Sequence, residues 1–194
     1  MNVLKQPPSF PERNVASILE TIDVQTGERT VLAEFDRLIE APNWTRDGKS
    51  LIYNSGGRIW RFDLASGESA LVDTGFAVHC NNDHVLSPDG TRIAVSHQTH
   101  EDFQSRIYVL PLAGGQPRLI TPIAPSYLHG WSPDGATLAY CAERNGQYDV
   151  YTIPADGGVE KQLTDEPGLD DGPEYSPCGR YIWFNSTRSG LMQI

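Results

Sequence analysis

WSPDGATLAYCA, residues 131–142, combines a Ser-Pro-Asp-Gly turn with alternating apolar residues, which is typical of a β-hairpin. The Asp carboxylate accepts hydrogen bonds from nearby backbone N–H groups, and Gly takes a positive φ without a Cβ clash. The pattern recurs as WTRDGKSLIYNS (44–55), LSPDGTRIAVSH (86–97) and YSPCGRYIWFNS (175–186). The starts are separated by 86 − 44 = 42, 131 − 86 = 45 and 175 − 131 = 44 residues. Four-stranded repeats of about 40–50 residues predict the blades of a β-propeller.

The repeat predicts one all-β domain, residues 1–194, built of four-stranded antiparallel blades. After each hairpin comes a third strand and then a charged fourth strand, which suits an exposed sheet edge. About four to five blades are represented, so the domain is expected to be an incomplete portion of a six-bladed propeller. The predicted divisions are a partial first blade at 15–40, blades at 41–83, 84–128 and 129–172, and the start of a further blade at 173–194.

Charge and composition exclude several classes of partner. The formal net charge of −10 disfavours nucleic acids and anionic bilayers, since both bind through Lys and Arg clusters. No apolar run approaches the ~20 residues of a membrane helix, and the amino terminus lacks the apolar stretch of an export signal. We therefore expect a soluble protein that does not insert into a membrane. Its expected location is the cytoplasm, or the periplasm if an export signal has been removed. The 3 cysteines share no close spacing, which favours reduced thiols.

The SPDG hairpins, followed by third strands such as RIYVLPL (106–112) and by Gly-Gly turns, resemble the TolB-like β-propeller family, bacterial relatives of WD-repeat proteins. This resemblance implies a propeller of six or more blades and a role in protein interaction. Six units need more residues than are present, so we expect either a portion of a longer protein or closure by pairing with another chain. TolB itself has a secretion signal and an amino-terminal α/β domain, and we expect neither from the residues of this sequence.

Two histidines are the main candidates for a binding site. His84 and His129 each lie two residues before a hairpin motif, where the other two motifs have proline. This position predicts that both lie at the channel mouth, near Asp83 and Asp171. Imidazole and carboxylate groups there could bind a ligand, through His84, His129 and Asp171, or a divalent metal, through His84, His129 and Asp83. Ordinary hydrogen-bonded loop side chains are the alternative, and no obligatory cofactor is predicted.

Two arginines are further candidates for ligand binding. Arg144 in the ERNG link and Arg188 in the TRSG link follow hairpins of consecutive repeats. Either could line the mouth, but because they recur with the repeat we favour a role in fixing their loops by hydrogen bonds.

These features favour a noncatalytic scaffold that binds a protein partner, or a small-molecule or carbohydrate ligand, at the channel-mouth face. One alternative is a metal-dependent lyase of the oligogalacturonate type, a family of TolB-like propellers that hold a metal with several histidines. Another is the propeller portion of a prolyl-oligopeptidase-like hydrolase. Ser132 is not its nucleophile, since Gly-Trp-Ser-Pro-Asp lacks the final glycine of the G-x-S-x-G elbow.

Overall fold

The computed structural model describes residues 15–194. The expectation that the amino terminus carries no export signal concerns residues outside this range. Within the described residues every regular element is a β-strand. In chain order the strands are β1 (Ser17–Ile22), β2 (Arg29–Phe35), β3 (Glu40–Trp44), β4 (Ser50–Ser55), β5 (Arg58–Asp63), β6 (Ser69–Leu71), β7 (Cys80–Leu86), β8 (Arg92–Gln98), β9 (Ser105–Pro111), β10 (Arg118–Leu119), β11 (Ser126–Trp131), β12 (Thr137–Arg144), β13 (Gln147–Pro154), β14 (Lys161–Gln162), β15 (Asp170–Tyr175) and β16 (Ile182–Ser186).

The strands form consecutive antiparallel sheets. Three sheets have four strands, in the orders β3-β4-β5-β6, β7-β8-β9-β10 and β11-β12-β13-β14. Two-stranded sheets, β1-β2 and β15-β16, lie before and after them in the chain. Each sheet is a simple meander, because every strand pairs with the next one along the chain. The predicted all-β class and the partial β-propeller architecture are therefore confirmed.

The turn inside each repeat is held by the aspartate of the motif. In the third repeat the Ser132 hydroxyl donates to Asp134 Oδ1 over 2.5 Å, and the Ala136 N–H donates to the same oxygen over 3.0 Å. Gly135 has φ +71°, which a residue with a Cβ rarely adopts. Ser132 and Asp134 are thus structural residues of the turn, as the sequence pattern predicts.

Apolar side chains from neighbouring sheets form the cores between blades. One cluster joins Ile107 and Val109 of β9 to Leu128 of β11 and Tyr140 of β12, all nearly or completely buried. Trp131 crosses the same boundary, since its indole N–H donates to the Val85 carbonyl of the preceding blade over 3.0 Å. Blade-to-blade burial of this kind is the main source of stability in repeat architectures.

The first strand of each blade is the innermost one, and these inner strands bring successive blades together. β11 contacts both β7 and β15, and β3 contacts β7. The inner strands begin before the predicted divisions at residues 41, 84, 129 and 173, since β3 starts at Glu40, β7 at Cys80, β11 at Ser126 and β15 at Asp170. Each inner strand also contains a register irregularity close to the mouth.

Candidate functional site

A pocket opens between the inner strands β7, β11 and β15, and we call it the mouth pocket. Its volume is about 470 Å³, within the range of small-ligand sites. Three of the residues predicted to bind a ligand or metal line it: Asp83, His129 and Asp171. These residues are far apart in the chain and come from three successive blades. The remaining lining residues are Tyr127, Cys141, Tyr148 and Leu169.

His129 and Asp171 form a hydrogen-bonded pair in this pocket. Nε2 of His129 lies 3.1 Å from Oδ1 of Asp171, and the carboxylate is the acceptor. This bond is the main reason that the pKa of Asp171 falls to about 2. Asp171 is therefore ionised at neutral pH, and it fixes the orientation of the imidazole ring.

Asp83 is an acidic group without a basic partner. Its carboxylate accepts a hydrogen bond from the Asn81 side-chain amide over 2.5 Å. Burial raises its pKa, although the nearby His129 acts in the opposite direction. No Lys or Arg within residues 15–194 forms an ion pair with Asp83. A basic group from a ligand would therefore meet a partly desolvated carboxyl group that has no Lys or Arg partner, and its positive charge would favour the ionised form.

Two tyrosines and a cysteine complete the wall of the pocket. The rings of Tyr127 and Tyr148 lie 6.5 Å apart between centroids. Burial raises the pKa of both hydroxyls, that of Tyr148 to about 12, so both stay protonated at neutral pH. The Cys141 thiol donates to the Asp170 carbonyl over 3.2 Å, and burial raises its pKa. Cys141 is consequently a packed thiol and not a thiolate nucleophile.

His84 does not line the mouth pocket. Its side chain is buried, with only 2% of the residue exposed. Nε2 lies 3.5 Å from the Ile52 carbonyl oxygen, at the limit of a hydrogen bond, and Nδ1 forms no well-aligned hydrogen bond within the described residues, although the ring has a weak contact with the Asn82 backbone. Burial lowers the pKa of His84, which therefore stays neutral at pH 7.

The prediction that His84 and His129 occupy equivalent positions is wrong, and the strand register explains why. His84 pairs with Val95 in β8, whereas Leu128 pairs with the corresponding residue, Tyr140, in β12. His129 lies in the irregularity between Leu128 and Gly130. A bulge adds one residue to a strand and turns its side chain away from the regular alternation. His129 therefore reaches the pocket, while His84 takes the core position that Leu128 holds in the next blade.

Arg144 and Arg188 are both held by intramolecular contacts. Arg144 donates from Nε and Nη2 to the two carboxylate oxygens of Glu160, over 2.8 Å each, and from Nη1 to the Pro125 carbonyl. Arg188 donates from Nη2 to Asp170 Oδ2 over 2.5 Å, and Asp170 is fully buried. These contacts agree with the loop-fixing role, and neither arginine lines the mouth pocket.

The residues predicted to bind a metal do not all lie in the same pocket. Asp83 and His129 line one pocket, but His84 is packed elsewhere. Across residues 15–194, no three His, Cys, Asp or Glu side chains are grouped so that they could hold a metal ion. The binding of a divalent metal at the mouth therefore stays a prediction, and the positions of the described side chains do not support it.

Tyr127 and Tyr148 were not expected at the site from the sequence. The only available signal is that Tyr127 lies two residues before His129 in the same strand. Tyr148 follows a hairpin between β12 and β13, and its approach to the mouth depends on the fold.

Comparison with known proteins relates the chain to TolB propellers. Residues 85–194 match the family described as the TolB beta propeller domain. An uncharacterised protein of Agrobacterium fabrum is 49% identical over 185 residues, covering 95% of this chain and 63% of the relative. The Tol-Pal system protein TolB of Francisella tularensis subsp. tularensis is 25% identical over 175 residues, covering 86% of this chain and 40% of the relative.

A solved structure gives the same relation. A protein of Agrobacterium tumefaciens, named as a candidate TolB, superposes with a TM-score of 0.87 at 49% identity, covering 92% of this chain and 64% of that one. The chain thus spans between 40% and 64% of the length of these three relatives.

Proposed function

The chain belongs to the TolB β-propeller domain family, and we propose that it is a noncatalytic scaffold that binds a protein partner through the mouth pocket. The observation that carries this proposal is the meeting of Asp83, His129 and Asp171 from three successive blades around one pocket. A surface assembled from several blades suits recognition of an extended or protruding segment. The name of the Tol-Pal relative supports a protein as the partner.

We further propose that the segment entering the pocket presents a Lys or Arg side chain. Asp83 supplies a carboxyl group that no Lys or Arg within residues 15–194 pairs with, and Asp171 supplies an ionised one beside it that also bonds to His129. Tyr127 and Tyr148 also line the pocket, and an aromatic ring attracts a cation placed over its face, with about 0.5–2 kcal/mol available from such a contact. The formal net charge of −10 would speed the approach of a basic partner at low salt.

Catalysis has no comparable support. The Ser132 hydroxyl is engaged in its turn, and the Cys141 thiol is bonded to a carbonyl. The lyase alternative requires several histidines around one metal, whereas only His129 lines the pocket. The hydrolase alternative requires a separate catalytic domain, and residues 15–194 provide no support for one.

The cellular location of the protein and the way in which its propeller closes remain part of the proposal. No helix within residues 15–194 is long and apolar enough to cross a membrane. The cytoplasmic location has no support among the relatives, and it stays a prediction beside the periplasmic alternative. Closure of the propeller by another chain likewise stays a prediction.

Photo-cross-linking in cells of the source organism tests the proposed function. Tyr148 is replaced by p-benzoylphenylalanine, which retains an aromatic ring at the pocket wall. The matched position is Glu68, an exposed residue in the turn between β5 and β6, at the opposite end of the blades. We expect a discrete protein adduct from position 148 and not from position 68, with a lower yield in the Asp83→Asn variant. The same products from both positions, or a yield insensitive to Asp83→Asn, would contradict the proposal.

A further inference from the structure

A second cavity lies apart from the mouth pocket, where the blade β7–β10 meets the blade β11–β14, and we call it the rim groove. Its volume is about 780 Å³. Its lining includes Gln104, Pro125, Arg144, Tyr151, Glu160 and Gln162. None of them lines the mouth pocket, so the groove is a separate candidate site.

Two of the three charged groups in the rim groove, Arg144 and Glu160, are paired with each other, whereas Glu143 forms no ion pair within the described residues. Arg144 and Glu160 form a two-pronged ion pair, with both N···O distances at 2.8 Å. Tyr140 donates its hydroxyl proton to Glu160 over 2.7 Å. The hydrogen bond from Arg144 is the main reason that the pKa of Glu160 is lowered. Because this pair is neutral as a unit, it offers little attraction to a charged ligand.

Tyr151 is the unsatisfied group of the groove. The residue is only 3% exposed, and its hydroxyl has no hydrogen-bond partner within the described residues. Burial raises its pKa, so the hydroxyl stays protonated and can donate and accept. A buried hydroxyl without a partner costs about 1–3 kcal/mol, and a ligand hydroxyl that reached it after a shift of the covering side chains would remove that cost.

Neutral amides supply the remaining hydrogen-bonding capacity. Gln162 uses Nε2 to donate to Asp149 and to the Thr164 carbonyl, which leaves its Oε1 available. Gln104, which is exposed, brings a second amide to the groove. Pro125 adds an apolar surface to the lining. Apart from the Glu143 carboxylate, which accepts hydrogen bonds, the free groups are neutral, and all of them can bond to groups that both donate and accept.

We propose that the rim groove binds a neutral saccharide. Sugar hydroxyls donate and accept at one atom, which matches Tyr151, and their C–H faces suit Pro125. A groove of this volume lies within the range of small-ligand sites, but its polar lining fits a hydrophilic ligand. Acidic sugars fit less well, because the carboxylates of Glu143 and Glu160 both lie in the groove and Arg144 is already paired with Glu160.

Isothermal titration of the full chain with defined trisaccharides tests this site. The probes are maltotriose, cellotriose and triacetylchitotriose, with trigalacturonate as the charged comparison. We expect at least one neutral probe to bind with a Kd of about 1 mM or below, and trigalacturonate to bind more weakly.

Tyr151→Phe identifies the site of binding. The wild-type hydroxyl makes no intramolecular hydrogen bond within the described residues, so this variant should fold with unchanged or greater stability. We expect it to weaken binding of the neutral probe about three- to tenfold. Tyr181→Phe, at a tyrosine that is 62% exposed on another blade, should leave the affinity unchanged. Failure of all neutral probes, tighter binding of trigalacturonate, or equal affinity in Tyr151→Phe would each overturn the proposal.

Discussion

Replacing His84 by leucine should stabilise the protein, although the sequence marks this histidine as a site residue. The buried Nδ1 forms no well-aligned hydrogen bond within the described residues, and such an atom costs about 1–3 kcal/mol, of which a weak contact of the ring with the Asn82 backbone offsets a part. The substitution also removes the long hydrogen bond between Nε2 and the Ile52 carbonyl oxygen, which at 3.5 Å is worth under about 1 kcal/mol. Leucine already occupies the corresponding register position in the next blade, at Leu128. The expected gain is about 1 kcal/mol at pH 7.

The gain should increase as the pH falls. Burial keeps the pKa of His84 below the ordinary value of 6.5, so the unfolded chain takes up a proton before the folded chain does. Wild-type stability therefore declines as the pH drops from 6.5 toward the lower folded pKa, by up to about 1.4 kcal/mol per pH unit for this group. His84→Leu removes this contribution, while the other histidines contribute equally to both proteins.

Urea unfolding of wild type and His84→Leu at pH 7 and pH 5 measures both effects. The same variant should retain the adduct formed from position 148, because His84 does not line the mouth pocket. A variant less stable than wild type by more than about 1 kcal/mol at pH 7 would refute the reasoning. A stability difference that is the same at both pH values would refute the buried, neutral state of His84.

Three other changes test the fold. Gly57→Ala should cost more than about 2 kcal/mol in urea unfolding, because Gly57 has φ +74° and the new Cβ would lie 2.8 Å from the Val78 carbonyl oxygen. Gly56→Ala, at φ +60° with no neighbour within 4 Å, should cost only about 1 kcal/mol. Leu128→Ala should cost about 2–5 kcal/mol by the same assay, since this side chain is completely buried between blades. Iodoacetamide should label Cys178 in the native protein and leave the other two cysteines, both buried, unlabelled until the chain unfolds.

The architecture could be predicted because its signals are local. An Asp-Gly turn needs only residues within a few positions, as the hydrogen bonds from Ser132 and Ala136 to Asp134 demonstrate. Repetition of that turn at a nearly constant spacing then implies blades of one kind. The residues at which the strands begin were harder to predict. They depend on pairing with the following strand and on register irregularities that no turn residue in the sequence marks.

The site could be predicted only in part, because it is formed between blades. Counting back from the motifs identified His129, with Asp83 and Asp171 as its expected neighbours, and the structure brings these three together. The same counting misassigned His84, since it took no account of the bulge at His129. Whether a histidine enters a core or a pocket is decided by a shift of one residue, which reverses the face of a strand.

The affinity of the cross-linked partner for wild type and for Asp83→Asn is the most direct test of the mouth pocket as a binding site. Glu68→Gln, which removes one carboxylate at the opposite end of the blades, controls for the general effect of charge. We expect Asp83→Asn to raise the Kd at least about tenfold, since it removes the unpaired carboxylate that meets the basic side chain, and Glu68→Gln to leave it unchanged. Equal affinities of wild type and Asp83→Asn, or equal losses in both variants, would contradict the proposed role of the pocket.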